Sequence, residues 1–184
     1  VAGCDIDPEA RARFTETWDA TWPGLATWDD AFAMLEEASL DIVTVATPDH
    51  LHGDIVRAAA ASSVKGIFCE KPLSHELADA DAMIAAIERH HVPVNVNFTR
   101  RWVPPYVAAR EAIRSGAIGE LVQVTVGFGG PRAMLWRNHS HFLDLMTYVA
   151  ESDPAWVVAE LEPGHEAYGT AYRGDGGRSP ELEP

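Results

Sequence analysis

The chain has 184 residues, 47% of them hydrophobic and 23% charged, and its 28 acidic against 14 basic residues give a formal charge of −14. That balance argues against nucleic acid and anionic membrane surfaces as partners, because both need clustered Lys and Arg. The two cysteines, Cys4 and Cys69, are too few for a disulfide scaffold, and no apolar run approaches the roughly 20 residues of a membrane span, so a cytoplasmic setting is expected.

Val1 to Cys4 reads as a strand closed by Asp5-Ile6-Asp7-Pro8. Asp7 suits a helix cap, Pro8 the first helical position and Glu9 the first turn, so a helix is expected from about Pro8 to Thr17. Thr27-Trp28-Asp29-Asp30 opens a second short helix with Ala31, Met34 and Leu35 on its apolar face. The β-branched run from Asp41 to Ala46 reads as a strand buried on both faces, as in a parallel sheet. His52 to Ala61 is a helix, Lys65 to Glu70 a strand, Ser74 to His90 a longer helix, and Val92 to Phe98 another strand. Strands alternating with helices predict a doubly wound α/β sheet.

After Phe98 the pattern changes. A helix from about Pro105 to Ser115 stops at Gly116. Leu121 to Phe128 alternates strictly, as a half-buried strand of an antiparallel or mixed sheet does. His141 to Ala150 reads as a helix and Ala155 to Leu161 as a strand. Residues 162–184 are rich in Gly and Pro and read as loop or disorder.

Open α/β sheets bind ligands beyond the carboxyl ends of their strands. Those ends carry Asp5, then Thr47-Pro48, then Glu70-Lys71-Pro72, then Thr99-Arg100-Arg101. Glu70-Lys71-Pro72 is the sharpest of them. Desolvation at a buried strand terminus favours the neutral amine, which suits Lys71 to proton donation or to polarising an oxygen. The plainer alternative is a solvated Lys71 paired with Glu70. A second constellation is Asn138-His139-Ser140-His141-Phe142-Leu143-Asp144. His141 and Asp144 share a helical face, so Asp144 can orient the ring and leave one nitrogen to accept a proton. The plainer alternative is a capping Ser140 with His141 packed at a domain interface. A metal site at His139 and His141 is disfavoured, because no second ligand cluster stands at a familiar spacing.

Taken in order, Val43-Thr44-Val45-Ala46-Thr47-Pro48 with His52, Cys69-Glu70-Lys71-Pro72-Leu73, Arg101 with Pro104, Gly116-Ala117-Ile118-Gly119, and His141 with Asp144-Leu145 resemble the Gfo/Idh/MocA family of glucose–fructose oxidoreductase and inositol dehydrogenase. The resemblance spans roughly residues 1–160. It implies a Rossmann-like dinucleotide-binding domain over 1–98 and part of an α+β substrate and oligomerisation domain, with a mostly antiparallel sheet, over 99–184. It implies NAD or NADP and a sugar, cyclitol or related polyol substrate; a homo-oligomer is expected because a sheet with one open face, as the alternating Leu121 to Phe128 suggests, can pack against a second copy. Lys71 and His141 take the catalytic roles, Lys71 beside the nicotinamide and the reacting oxygen, His141 as acid/base. Asp5, Thr47, Pro48, His52, Glu70, Lys71, Pro72 and Arg101 are the expected cofactor contacts. Arg101, Trp136, Arg137 and Asn138 join Lys71 and His141 toward substrate. Family members often carry an Asp three or four residues before that His, where this chain has Asn138 and Arg137.

The first strand and the Gly-x-Gly-x-x-Gly loop of such a domain do not occur in this sequence. The non-Met start inside a strand leads to the expectation of a fragment, truncated at both ends and inactive alone. Asp5 closes the strand where an acidic residue receives the adenosine ribose and repels a 2′-phosphate, which favours NAD over NADP. Two other functions stay open at this stage: an NAD-dependent glycoside hydrolase of the same family, and a non-catalytic ligand-binding protein on the same scaffold.

Overall fold

The computed structural model describes residues 1–127 and 138–160. The chain divides into two compact units, Val1–Asn97 and the residues from Phe98 onward.

In the first unit, β1 (Ala2–Cys4) leads into α1 (Pro8–Trp18). Asp7 accepts the amide of Glu9 at 2.9 Å, and Pro8 stands where a helix has no use for an amide hydrogen. β2 (Ala26–Trp28) lies parallel to β1, with Ala2 opposite Ala26 and Cys4 opposite Trp28. The sequence reading took Thr27 and Trp28 into a helix start. The helix, α2 (Ala31–Glu37), begins only after Asp30, whose carboxylate accepts the Ala33 amide at 2.8 Å. A strand this short carries too little alternation to be read.

β3 (Ile42–Val45), β4 (Gly66–Cys69) and β5 (Val94–Val96) form a second parallel sheet in that order. α3 (His52–Ala61) connects β3 to β4, and α4 (Leu77–His90) connects β4 to β5. A 3-10 turn, Asp49–Leu51, precedes α3. These crossovers make the expected doubly wound α/β layer. Its core joins Val43, Val45, Ile67 and Cys69 of the strands to Val56, Ala59 and Ala60 of α3 and to Met83 of α4. β3 is buried on one face only: Val43 and Val45 are covered, whereas Ile42 is 68% exposed. It is the end strand of its sheet, and α3 packs on one side of it.

In the second unit a 3-10 turn, Thr99–Arg101, precedes α5 (Pro104–Arg114), and α6 (Ser140–Ala150) follows later in the chain. Gly116 ends the α5 segment at φ +79°, a conformation open to glycine at no steric cost. Leu121–Gly127 and residues 155–160 run as irregular chain, not as the expected strands. Alternation supplies a strand with a face, but the ladder requires a neighbour, and the described residues offer none here. Phe128 and Leu161, the far ends of those two expected strands, lie outside the described residues. Among the described residues no helix is long and apolar enough to cross a membrane.

Candidate active site

The carboxyl ends of β3, β4 and β5 are linked by side chains. Glu70, directly after β4, divides its carboxylate between two donors. Oε1 accepts Asn97 Nδ2 at 2.6 Å, and Oε2 accepts the backbone amide of Lys71 at 3.3 Å. The ladder beneath supports both residues: the Glu70 amide donates to Val45 O and the Asn97 amide to Cys69 O, each at 2.8 Å. Lys71 is thus fixed at its backbone, half-buried, in front of a buried Pro72, and the bond between them is cis. Glu70 serves as a brace for this turn, a role the ion-pair alternative did not include. Asn97 was missed because the sequence reading ran the last strand to Phe98 and so hid a polar strand end inside it. Listing the residue after each shorter strand is the signal that finds it.

His52 is 1% exposed, at the first position of α3. Its Nδ1 lies 2.9 Å from Pro72 O and its Nε2 2.9 Å from Thr47 O. The ring therefore stands behind the two turns, between their backbones. His52, expected as a cofactor contact, thus has both ring nitrogens against backbone oxygens and almost no surface. Thr47 Oγ1 is buried with no hydrogen-bond partner among the described residues, while Pro48 beside it is exposed. A buried hydroxyl without a partner at a strand end is where a polar ligand group fits.

Asp5 is exposed at the end of β1, and its amide is held by Trp28 O at 3.2 Å. One carboxylate oxygen accepts the Asp7 amide at 2.8 Å, and Arg11 donates to the Asp5 carbonyl. The turn is thereby rigid and its carboxylate solvent-facing, as a hydroxyl-binding acid requires.

The second unit holds His141 at the start of α6, with Phe98 edge-on to its ring at a centroid distance of 6.2 Å. α6 has no side-chain cap, so the capping role considered for Ser140 is not realised. The Asp144 carboxylate receives a two-nitrogen fork from Arg101, Nε at 2.9 and 3.0 Å and Nη2 at 2.8 Å. That hydrogen bond to Asp144, against an opposing desolvation, raises the guanidinium pKa and keeps Arg101 charged. Arg101 also lies over the Tyr148 ring, 5.2 Å from its centroid. Arg101, expected toward cofactor and substrate, is thus held within its own unit by Asp144, the residue also expected to orient His141. Asn138 is half-buried just before α6, and Trp136 and Arg137 lie outside the described residues.

Two further groups set the electrostatics of the first unit. Burial, reinforced by the charge of Glu70, pushes the Cys69 thiol up to about 12, which removes it as a nucleophile. Asp79 on α4 is desolvated, yet hydrogen bonds from Arg57 and Ser74 outweigh that and hold its carboxyl below the usual range. Among the described residues no group of three or more His, Cys, Asp or Glu could hold a metal ion.

The family described as an oxidoreductase family with an NAD-binding Rossmann fold, Gfo/Idh/MocA, matches residues 1–98. The chain belongs to that family. A D-apiose dehydrogenase from Paraburkholderia graminis is 40% identical over 119 residues, which are 65% of this chain and 30% of the relative. An inositol 2-dehydrogenase from Rhizobium meliloti is 34% identical over 133 residues, 66% of this chain and 40% of the relative. The chain thus spans between three tenths and two fifths of the length of these Gfo/Idh/MocA relatives. Among solved structures, a putative myo-inositol dehydrogenase from Sinorhizobium meliloti superposes with a TM-score of 0.71 at 26% identity, over 84% of this chain and 48% of that one. An Agrobacterium radiobacter oxidoreductase, solved with NAD+, L-tartaric acid and magnesium, gives a TM-score of 0.69 at 28% identity, over 81% of this chain and 46% of that one.

Proposed function

We propose that this chain carries part of an NAD-dependent oxidoreductase acting on a sugar, cyclitol or related polyol. The observation that supports it most is the braced Lys71: Glu70 fixes the lysine backbone at the carboxyl edge of a parallel sheet, where α/β folds bind ligands. Relatives named for apiose and inositol point to the same substrate class. Asp5 receives ribose hydroxyls and favours NAD over NADP, and Thr47 Oγ1 supplies a further polar contact. Bound NAD supplies the hydride acceptor. Lys71 donates a hydrogen bond to the reacting oxygen and offsets charge that develops there. His141, whose role rests on its place in the motif, takes up the hydroxyl proton at one ring nitrogen. A soluble cytoplasmic homo-oligomer is the setting proposed for the full-length protein.

Replacing Lys71 by Ala in the full-length protein tests this reading. Turnover of polyols, followed as NADH formation, is expected to fall by about three orders of magnitude or more, with NAD affinity nearly unchanged. Unchanged turnover overturns the assignment. Glycoside cleavage by the unmodified protein without net NADH selects the hydrolytic alternative.

A further inference from the structure

His52 poses a problem of donor and acceptor count. Each ring nitrogen lies 2.9 Å from a backbone carbonyl oxygen, Nδ1 from Pro72 and Nε2 from Thr47. A carbonyl oxygen only accepts. A neutral imidazole has one N–H, so in either tautomer one lone pair would face an oxygen lone pair across a hydrogen-bond distance. The ring is 1% exposed, so bulk water does not relieve that contact. Both contacts are satisfied together when both nitrogens carry hydrogen. Charge-assisted bonds of this kind are about twice as strong as neutral ones.

The elements around the ring carry these charged and titratable groups. The turn before α3 carries Asp49, 8% exposed, together with His50. α3 itself carries Asp54 and Arg57, and α2, packed against α3, ends in Glu36 and Glu37. The end of β4 contributes Glu70 and Lys71. The loop beyond it carries His75 and Glu76, and α4, packed on α3, carries Asp79 in its first turn and Asp81 in its second. Carboxylates outnumber cations among these groups.

We infer that His52 is a positioning residue that donates from both ring nitrogens and so fixes the Thr47 turn against the Lys71–Pro72 turn. His52 joins the end of β3 to the end of β4, and Glu70 with Asn97 joins the end of β4 to the end of β5. Lys71 lies where the two links meet. The consequence for catalysis rests on the proposed dehydrogenase reading, whereas the double donation does not.

Long-range proton–nitrogen correlation spectra of the 15N-labelled 184-residue chain at neutral pH read the ring directly. The expected result is two protonated nitrogens at His52. A single protonated nitrogen, with the other bare, overturns the inference whatever the enzyme does. Amide exchange tests the positioning role. In His52→Ala the Lys71 amide is expected to exchange about tenfold faster, with a smaller acceleration in His52→Gln, which keeps one donor group. The Asn97 amide, bonded to Cys69 O, serves as the internal control for an intact sheet. Equal Lys71 exchange in all three proteins, with that control unchanged, overturns the link to Lys71. If His52→Ala does not fold, the ring spectrum of the unmodified chain and the exchange of His52→Gln still decide the question.

Discussion

Two helices of this chain, α4 in the first unit and α6 in the second, invert the usual relation between sequence and burial. α6 is the more apolar, with Phe142, Leu143, Leu145, Met146 and Val149 within 11 residues, yet it has no fully buried residue and Leu143 is 50% exposed. α4 carries Asp79 and Asp81 near its start and Glu88 and Arg89 near its end, yet Met83 is 0% exposed. The difference is the partner. α4 follows β4 in a crossover and packs on α3 above the sheet, whereas the described residues supply no sheet beneath α6. An apolar stripe states what a helix can cover, and a strand ladder must exist for it to be covered. All fully buried residues among the described ones fall between Val43 and Val92.

The largest expected effect lies at the centre of that core. Met83→Ala should destabilise the first unit by about 2–5 kcal/mol, through lost burial and the cavity left behind. Urea unfolding followed by circular dichroism measures it, and a loss below about 1 kcal/mol would show that the sheet does not depend on α4.

A smaller effect is expected at the contact between α3 and α4. Asp79 accepts from Arg57 Nη1 at 2.5 Å and from Ser74 Oγ at 3.0 Å. Its folded carboxyl titrates below its unfolded value. The resulting stability is therefore complete above the ordinary carboxylate range and is lost as pH falls through the folded value. Asp79→Asn should cost about 1–2 kcal/mol at neutral pH and flatten the acid side of the stability curve. Unfolding midpoints taken from neutral to strongly acidic pH show whether it does.

The smallest effect is expected on α6. Leu143→Ala should change unfolding by less than about 0.5 kcal/mol, since half of the side chain is already in water. A loss as large as that of Met83→Ala would mean that the second unit has a core of its own, and the contrast between the helices would fail.

How much was legible in the sequence follows the same line. Elements with strong local signals could be read: Asp7-Pro8-Glu9 opening α1, and the β-branched run of β3 before Thr47-Pro48. The motif Glu70-Lys71-Pro72 marked the end of β4, where Glu70 holds the Lys71 amide and reaches Asn97. Contacts between distant residues could not be read. Asn97 reaches Glu70 across 27 positions, His52 reaches Pro72 across 20, and Arg101 reaches Asp144 across 43. No periodicity encodes such pairs. The strands expected after Leu121 failed for the opposite reason: their local pattern is clear, but pairing is decided elsewhere in the chain.

Cys69 has a consequence beyond the site it adjoins. It is 0% exposed in β4, the middle strand of its sheet, with its thiol proton held tightly by burial. Cys4, the other cysteine, is only partly covered on β1. The two thiols therefore form a matched pair of clocks in one molecule: a thiol-directed reagent meets Cys4 on the folded surface but meets Cys69 only when the central sheet opens. The ratio of their labelling rates converts the covering of one strand into a measured opening frequency, with no probe added to the protein.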